Sequence, residues 1–172
     1  FWPGPLTLIM KKSGMVPHKT TGGLNTVAVR MPDHPIALPL IRESGVPIAA
    51  PSANRSGRPS PTLARHVMDD MEGRIPLILD GGPCNFGVES TVLDMTGDIP
   101  TILRPGGVTP KMLESVVGDI KIDDGVLHPL CMDTTVRSPG MKYTHYAPKA
   151  PVVVVKGTVE GIISKIRELA KN

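Results

Sequence analysis

Pro47-Ile48-Ala49-Ala50-Pro51-Ser52-Ala53-Asn54-Arg55-Ser56-Gly57-Arg58-Pro59-Ser60 is the stretch on which the reading of this chain turns. An apolar run at Ile48–Ala50 passes directly into small hydroxyls, an amide and two guanidiniums, which reads as a strand end opening into a ligand-binding loop of an α/β fold. Small side chains let an anion approach the backbone, and the forked donors of Arg55 and Arg58 suit phosphate or carboxylate. Taken alone, the segment also fits an ordinary Pro/Ser/Gly surface loop.

Working outward, further strands are expected at Leu6–Met10, Thr26–Met31, Leu77–Asp80, Ser90–Asp94 and Thr101–Arg104, besides Ile48–Ala50. Helices are expected at Pro35–Ser44, Thr62–Met71 and Pro110–Val117, each entered through Pro or Thr, two of them closed by Gly45 and Gly118. Strands and helices alternate early, then strands follow one another through short Gly/Pro turns. That order predicts a mixed rather than a strictly parallel sheet. From Asp119 to Pro148 periodicity is lost, and a structureless stretch of that length is usually functional or disordered. Its dense segment Lys142-Tyr143-Thr144-His145-Tyr146 favours docking on a surface, so it reads as a linker folded back over a site. Val152–Val155 then reads as a buried strand and Thr158–Ala170 as an amphipathic helix, together the first half of a βαβ unit. The opening Phe1-Trp2-Pro3-Gly4-Pro5 looks like the interior of a fold, so an N-terminal portion is expected to be missing.

Composition narrows the chemistry. The 172 residues are 40% hydrophobic and only 3% aromatic, so Leu, Ile, Val and Met must fill the core. A net charge of +3, with the basic residues dispersed, fits small anionic ligands as well as nucleic acid. Cys84 and Cys131 stand apart without metal-ligand spacing, so no zinc site or disulfide framework is expected and a reducing cytoplasm is the default. No apolar run is long enough to predict a membrane span. Walker, dinucleotide, nucleophile-elbow and HExxH signatures are all absent from the sequence. What remains is rich in Ser, Thr, Asn and Arg, suited to positioning and charge stabilisation rather than covalent catalysis.

Three more segments carry such groups. In Thr26-Val27-Ala28-Val29-Arg30 the alternation puts Thr26, Ala28 and Arg30 on one strand face, a hydroxyl and a guanidinium suited to an amino-acid carboxylate. Gly87-Val88-Glu89-Ser90-Thr91-Val92-Leu93-Asp94 presents adjacent hydroxyls before an apolar strand. Leu103-Arg104-Pro105-Gly106-Gly107 ends a strand on an arginine and a glycine turn.

Phe1-Trp2-Pro3-Gly4-Pro5-Leu6-Thr7, the Thr26–Pro32 strand, Ala50-Pro51-Ser52-Ala53-Asn54, Glu89-Ser90-Thr91, Leu103-Arg104-Pro105-Gly106 and Ser138-Pro139-Gly140-Met141-Lys142-Tyr143-Thr144-His145-Tyr146-Ala147-Pro148 occur in one order along nearly the whole chain. In that order they resemble the YrdC-like threonylcarbamoyl-AMP synthase family in its long, two-domain form. The resemblance implies an α/β fold: a twisted mixed sheet flanked by helices over residues 1–118, an interdomain linker covering the site over 119–150, and the start of a small Rossmann-like α/β domain over 151–172. It implies a reaction in which L-threonine, bicarbonate and ATP, with Mg2+ carried by the nucleotide, give threonylcarbamoyl-adenylate and pyrophosphate for tRNA modification. Arg30, Ala50 and Ser90 match the family's threonine contacts, and Thr26, Ser52, Ser60 and Arg104 its nucleotide contacts, with Asn54 and Arg58 in the same loop as further nucleotide candidates. Tyr143 matches a residue closing over the nucleotide, and His145 and Tyr146 would help hold that cover. No protein ligand to a metal is implied, and no single residue is assigned as a covalent catalyst.

The family's upstream threonine-recognition turn and basic phosphate-gripping segment have no counterpart in these residues, so the 172-residue piece is expected to be weak or inactive by itself. Two other readings stay open on the residues: a non-enzymatic module binding double-stranded RNA or tRNA, and a carbamoyl-adenylate handling domain of a maturation factor. Scarce aromatics and dispersed charge weigh against the first.

Overall fold

The computed structural model describes residues 1–127 and 152–170. Five strands form one sheet: β1 (Leu6–Lys11), β2 (Thr26–Arg30), β3 (Thr91–Asp94), β4 (Thr101–Arg104) and β5 (Lys121–Ile122). Their spatial order is β2-β1-β3-β4-β5. β1 pairs antiparallel with β2 and parallel with β3, while β4 lies antiparallel to β3 and parallel to β5, so the sheet is mixed, as the element order predicts. The helices are α1 (Ala37–Ser44), α2 (Ala64–Met71), α3 (Pro110–Val117), α4 (Asp124–Leu127) and α5 (Val159–Leu169).

Alternation along β1 and β3 divides the apolar side chains between two faces. Leu6, Leu93 and Ile102 pack with Val108 and Leu113 of the α3 region, and Leu8 and Ile120 lie against them. Burying each such side chain contributes about 1.5–3 kcal/mol. Ile9, Val92 and Leu103 form a second, smaller cluster. Thr91 joins the strand to the loop entering α3: it is 0% exposed, its Oγ1 donates to the Val108 carbonyl at 2.7 Å and accepts from the Val108 N–H at 3.1 Å. A hydroxyl can be tolerated at that depth because both of its capacities are used.

Helix ends follow their signals. Gly45 closes α1 at φ 66°, in the left-handed region, and its N–H reaches the Arg42 carbonyl. Thr109 caps α3, accepting from the Met112 N–H at 3.3 Å, with Pro110 in the first turn. Thr158 caps α5 in the same way through the Gly161 N–H.

Two expected strands are not strands. Ile48–Ala50 and Leu77–Asp80 pair with nothing among the described residues, and Leu77 and Leu79 are 70% and 54% exposed. A strand is stable only beside another backbone, and Pro47, Pro51 and Pro76 remove amide donors at the edges of both segments. Val152–Val155 likewise joins no ladder among the described residues, although the helix expected after it is present as α5. Conversely, the stretch beginning at Asp119 contributes β5 and α4. The Lys121 N–H donates to the Pro100 carbonyl and the Asp123 N–H to the Ile102 carbonyl, both at 2.9 Å. Two residues carry no readable period, so only the neighbouring edge of β4 reveals them as a strand.

Candidate functional site

Register decides which side chains meet. Thr7 of β1 lies opposite Arg30 of β2 and beside Val92 of β3, and Val92 lies opposite Arg104 of β4. The N-terminal ends of β1 and β3 and the C-terminal ends of β2 and β4 therefore share one end of the sheet. Gathered there, the described structure places Arg30, Thr7, Ser90 and Arg104.

Ser90, buried just before β3, is the hub. Its Oγ lies 2.8 Å from Thr7 Oγ1 and accepts from Arg104 Nη2 at 3.1 Å. Arg104 also donates Nε and Nη2 to the Ser90 carbonyl at 3.1 and 2.9 Å, a fork that fixes the plane of the guanidinium. Arg30 donates Nε to the Gly4 carbonyl at 3.1 Å, and its terminal nitrogens make no bond among the described residues. The Gly4 N–H returns to the Met31 carbonyl at 2.8 Å, so the Pro3-Gly4-Pro5 turn braces the end of β2. Fixed guanidiniums and hydroxyls at a strand end are suited to holding anions.

Glycine is required where the β4 exit crosses this hub. A Cβ on Gly106 would stand 2.3 Å from the Glu89 carbonyl oxygen and 2.4 Å from the Thr91 nitrogen. Those atoms are backbone and cannot turn aside. Only glycine lets the 104–108 turn lie flat against residues 89–91.

The 54–60 loop is tied to the same place. Ser60 Oγ donates to Glu89 Oε1 at 2.9 Å, next to Ser90. Within the loop, Asn54 Nδ2 donates to the Arg55 and Arg58 carbonyls at 2.9 and 3.0 Å, and Gly57 turns the chain at φ 83°. Asp70 of α2, with a side chain only 6% exposed, accepts from Arg58 Nη1 at 2.5 Å and from the Arg55 N–H at 3.2 Å. A buried carboxylate needs such partners, so Asp70 and Arg58 lock the loop onto α2. Asn54 and Arg58 are thus engaged in shaping the loop. The Asn54 Oδ1 is buried without a hydrogen-bond partner among the described residues.

Other expected residues lie apart. Ala50 and Ser52 are exposed and make no side-chain bond to the cluster among the described residues. Thr26 pairs with Lys11 at the far end of β2, about 13 Å from Arg30 along the strand at some 3.3 Å per residue. It lines a cavity of about 580 Å³ with Lys11, Lys12, His18, Asn25 and Thr96. Thr26 and Arg30 are on one face, so a ligand touching both must run along the strands. Tyr143, His145 and Tyr146 lie outside the described residues.

Sequence reasoning missed Thr7, Glu89 and Asp70. Alternation puts Thr7 on the face of Ile9, a readable signal, but its meeting with Arg30 and Ser90 depends on register. Nothing in the sequence of α2 distinguishes Asp70 from Asp69.

Comparison with known proteins shows the family of the chain. The Sua5/YciO/YrdC family profile, which carries the description "Telomere recombination", matches residues 1–106, and a threonylcarbamoyl-AMP synthase C-terminal domain profile matches residues 108–172. The chain belongs to the Sua5/YciO/YrdC family. It is 56% identical over 169 residues to the threonylcarbamoyl-AMP synthase of Bacillus subtilis, covering 98% of this chain and 48% of that protein. To the enzyme of the same name from Pyrococcus abyssi it is 56% identical, covering 98% of this chain and 49% of that protein. The crystal structure of P. abyssi Sua5 complexed with L-threonine superposes with a TM-score of 0.90 at 55% identity, over 99% of this chain and 50% of that one. The chain thus spans about half the length of the relatives it matches.

Proposed function

We propose that this chain carries the substrate-binding sheet end of an L-threonylcarbamoyladenylate synthase, which converts L-threonine, bicarbonate and ATP into threonylcarbamoyl-AMP and pyrophosphate. The observation that carries the reading is the gathering of Arg30, Ser90 and Arg104, fixed by hydrogen bonds at one sheet end, in a chain this similar to synthases. Among the described residues no helix is long and apolar enough to cross a membrane. A cytoplasmic site of action and delivery of the product to tRNA-modifying proteins, or to tRNA itself, belong to the same proposal.

In this reading Arg30 takes the threonine carboxylate, with Ala50 and Ser90 beside the amino acid. Thr26, Ser52, Ser60 and Arg104 hold the nucleotide, Asn54 and Arg58 shape the loop beneath it, and Tyr143 covers it from the linker between the two domains. The threonine nitrogen bonds to the bicarbonate carbon with loss of water. A carbamate oxygen then attacks the α-phosphorus while the bond to pyrophosphate breaks. Two anions must meet in line, and fixed guanidiniums offset their repulsion without reorganising during the step. In this reading Mg2+ travels on the phosphates as part of the substrate.

The test is pyrophosphate release from ATP and bicarbonate by the full-length protein, with and without L-threonine. Threonine-dependent release is expected. Release indifferent to threonine, or none, together with RNA binding that falls steeply with salt, would replace the reading with the RNA-binding module.

A further inference from the structure

We propose that Glu89 is a positioning residue that fixes the Ser60 hydroxyl as a hydrogen-bond acceptor, so that Ser60 receives a donor group of the nucleotide, a ribose hydroxyl or the exocyclic amine, rather than touching a phosphate oxygen. The inference rests on the reading of Ser60 as a nucleotide contact and assigns the part of the nucleotide it meets. A serine hydroxyl has one proton and two lone pairs, whereas an ionised carboxylate only accepts. The 2.9 Å bond from Ser60 Oγ to Glu89 Oε1 therefore commits the single proton, leaving only lone pairs for a ligand.

Charge points the same way. A phosphate oxygen at Ser60 would find no proton available and a carboxylate directly behind the hydroxyl, and like charges at such separations repel. A neutral donor meets the opposite situation: the carboxylate polarises the hydroxyl and strengthens it as an acceptor. The proposed anion-binding donor, Arg104, is fixed instead on the neighbouring residue of the same turn, Ser90. Adjacent residues of one turn, Glu89 and Ser90, thus sort the nucleotide's neutral donors from its charged end.

The experiment is equilibrium binding to the full-length protein, without threonine, of ATP, its two ribose-deoxy analogues and purine riboside triphosphate, which lacks the exocyclic amine. One analogue is expected to bind about tenfold more weakly than ATP, the value of one hydrogen bond, and which one identifies the donor. Ser60→Ala should bind that analogue and ATP equally. Glu89→Ala should lose the same discrimination and lose none further when combined with Ser60→Ala. Glu89→Gln, which imposes no direction on the hydroxyl, should reduce the ratio and serves if the alanine variant does not fold.

Equal binding of all four nucleotides by the unaltered protein would overturn the inference. So would a Ser60→Ala penalty that grows from AMP to ATP, the mark of a phosphate contact, or discrimination undiminished in both Glu89 variants. Threonine plays no part in these measurements, so failure of the synthase reading would show in pyrophosphate release while the analogue ratios remain readable.

Discussion

Arg104 shows what one side chain does here that a charge of the same sign cannot. Its Nε and Nη2 grip the Ser90 carbonyl together, a fork that lysine cannot reproduce. Arg104→Lys should therefore lower kcat/KM for ATP by roughly tenfold or more, with the fold unchanged by circular dichroism. Thr91 makes the complementary case for stability. Thr91→Val keeps the shape but strips the partners from the buried N–H and carbonyl of Val108, at a cost of about 2–4 kcal/mol. A midpoint in urea unchanged by that substitution would contradict the account. In sequence Arg104 stood out as a candidate by its place before a glycine turn, but not its fork on Ser90; Thr91 stood out only as a hydroxyl beside Ser90 at the start of an apolar strand.

Elements were readable where local chemistry supplies the signal. α1 and α3 end at the glycines that mark them, and Thr109 caps the helix that its Thr-Pro pair announces. Gly45→Ala should cost about 1 kcal/mol, since φ 66° is a conformation alanine adopts with strain. Gly106→Ala acts differently: its Cβ would press on the Glu89 carbonyl and the Thr91 nitrogen, displacing the turn on which Ser60 and Arg104, the proposed nucleotide contacts, are held through Glu89 and Ser90. Nucleotide affinity should fall by more than the loss in thermal midpoint accounts for, a comparison that equilibrium binding and thermal unfolding of one preparation provide. Ile48–Ala50 and Leu77–Asp80 illustrate the limit of local reading, because apolar composition predicts burial but not a partner backbone. β5 illustrates the converse: a neighbour's free edge makes a strand of two residues without a pattern.

At the scale of the whole molecule, the candidate site joins segments from nearly the entire described sheet. Ser60 reaches Glu89, Thr7 reaches Ser90, and Arg30 reaches Gly4, contacts spanning 29, 83 and 26 positions. Such a site forms only when the sheet does, so substitutions weakening the Leu6, Leu93 and Ile102 core should lower ligand affinity and stability together. The proposed cover belongs to this scale too. Deleting residues 133–148 from the full-length protein should raise the KM for ATP; unchanged ATP affinity and turnover would remove the linker from the site.

Residue types, their order and their local turns determined by themselves that the chain is α/β with a mixed sheet, and they marked Arg30, Ser90 and Arg104 as the candidates on which the proposed positioning and charge stabilisation rest. Those are properties of composition, periodicity and motif, which are local. The tertiary structure alone decided that Thr7 meets Ser90, that Glu89 holds Ser60, that Asp70 locks the loop of Arg55 and Arg58, and that Thr26 lies at the other end of the strand from Arg30. The reason is register: a strand's own sequence fixes which residues share a face, but only pairing with other strands fixes which of them stand side by side.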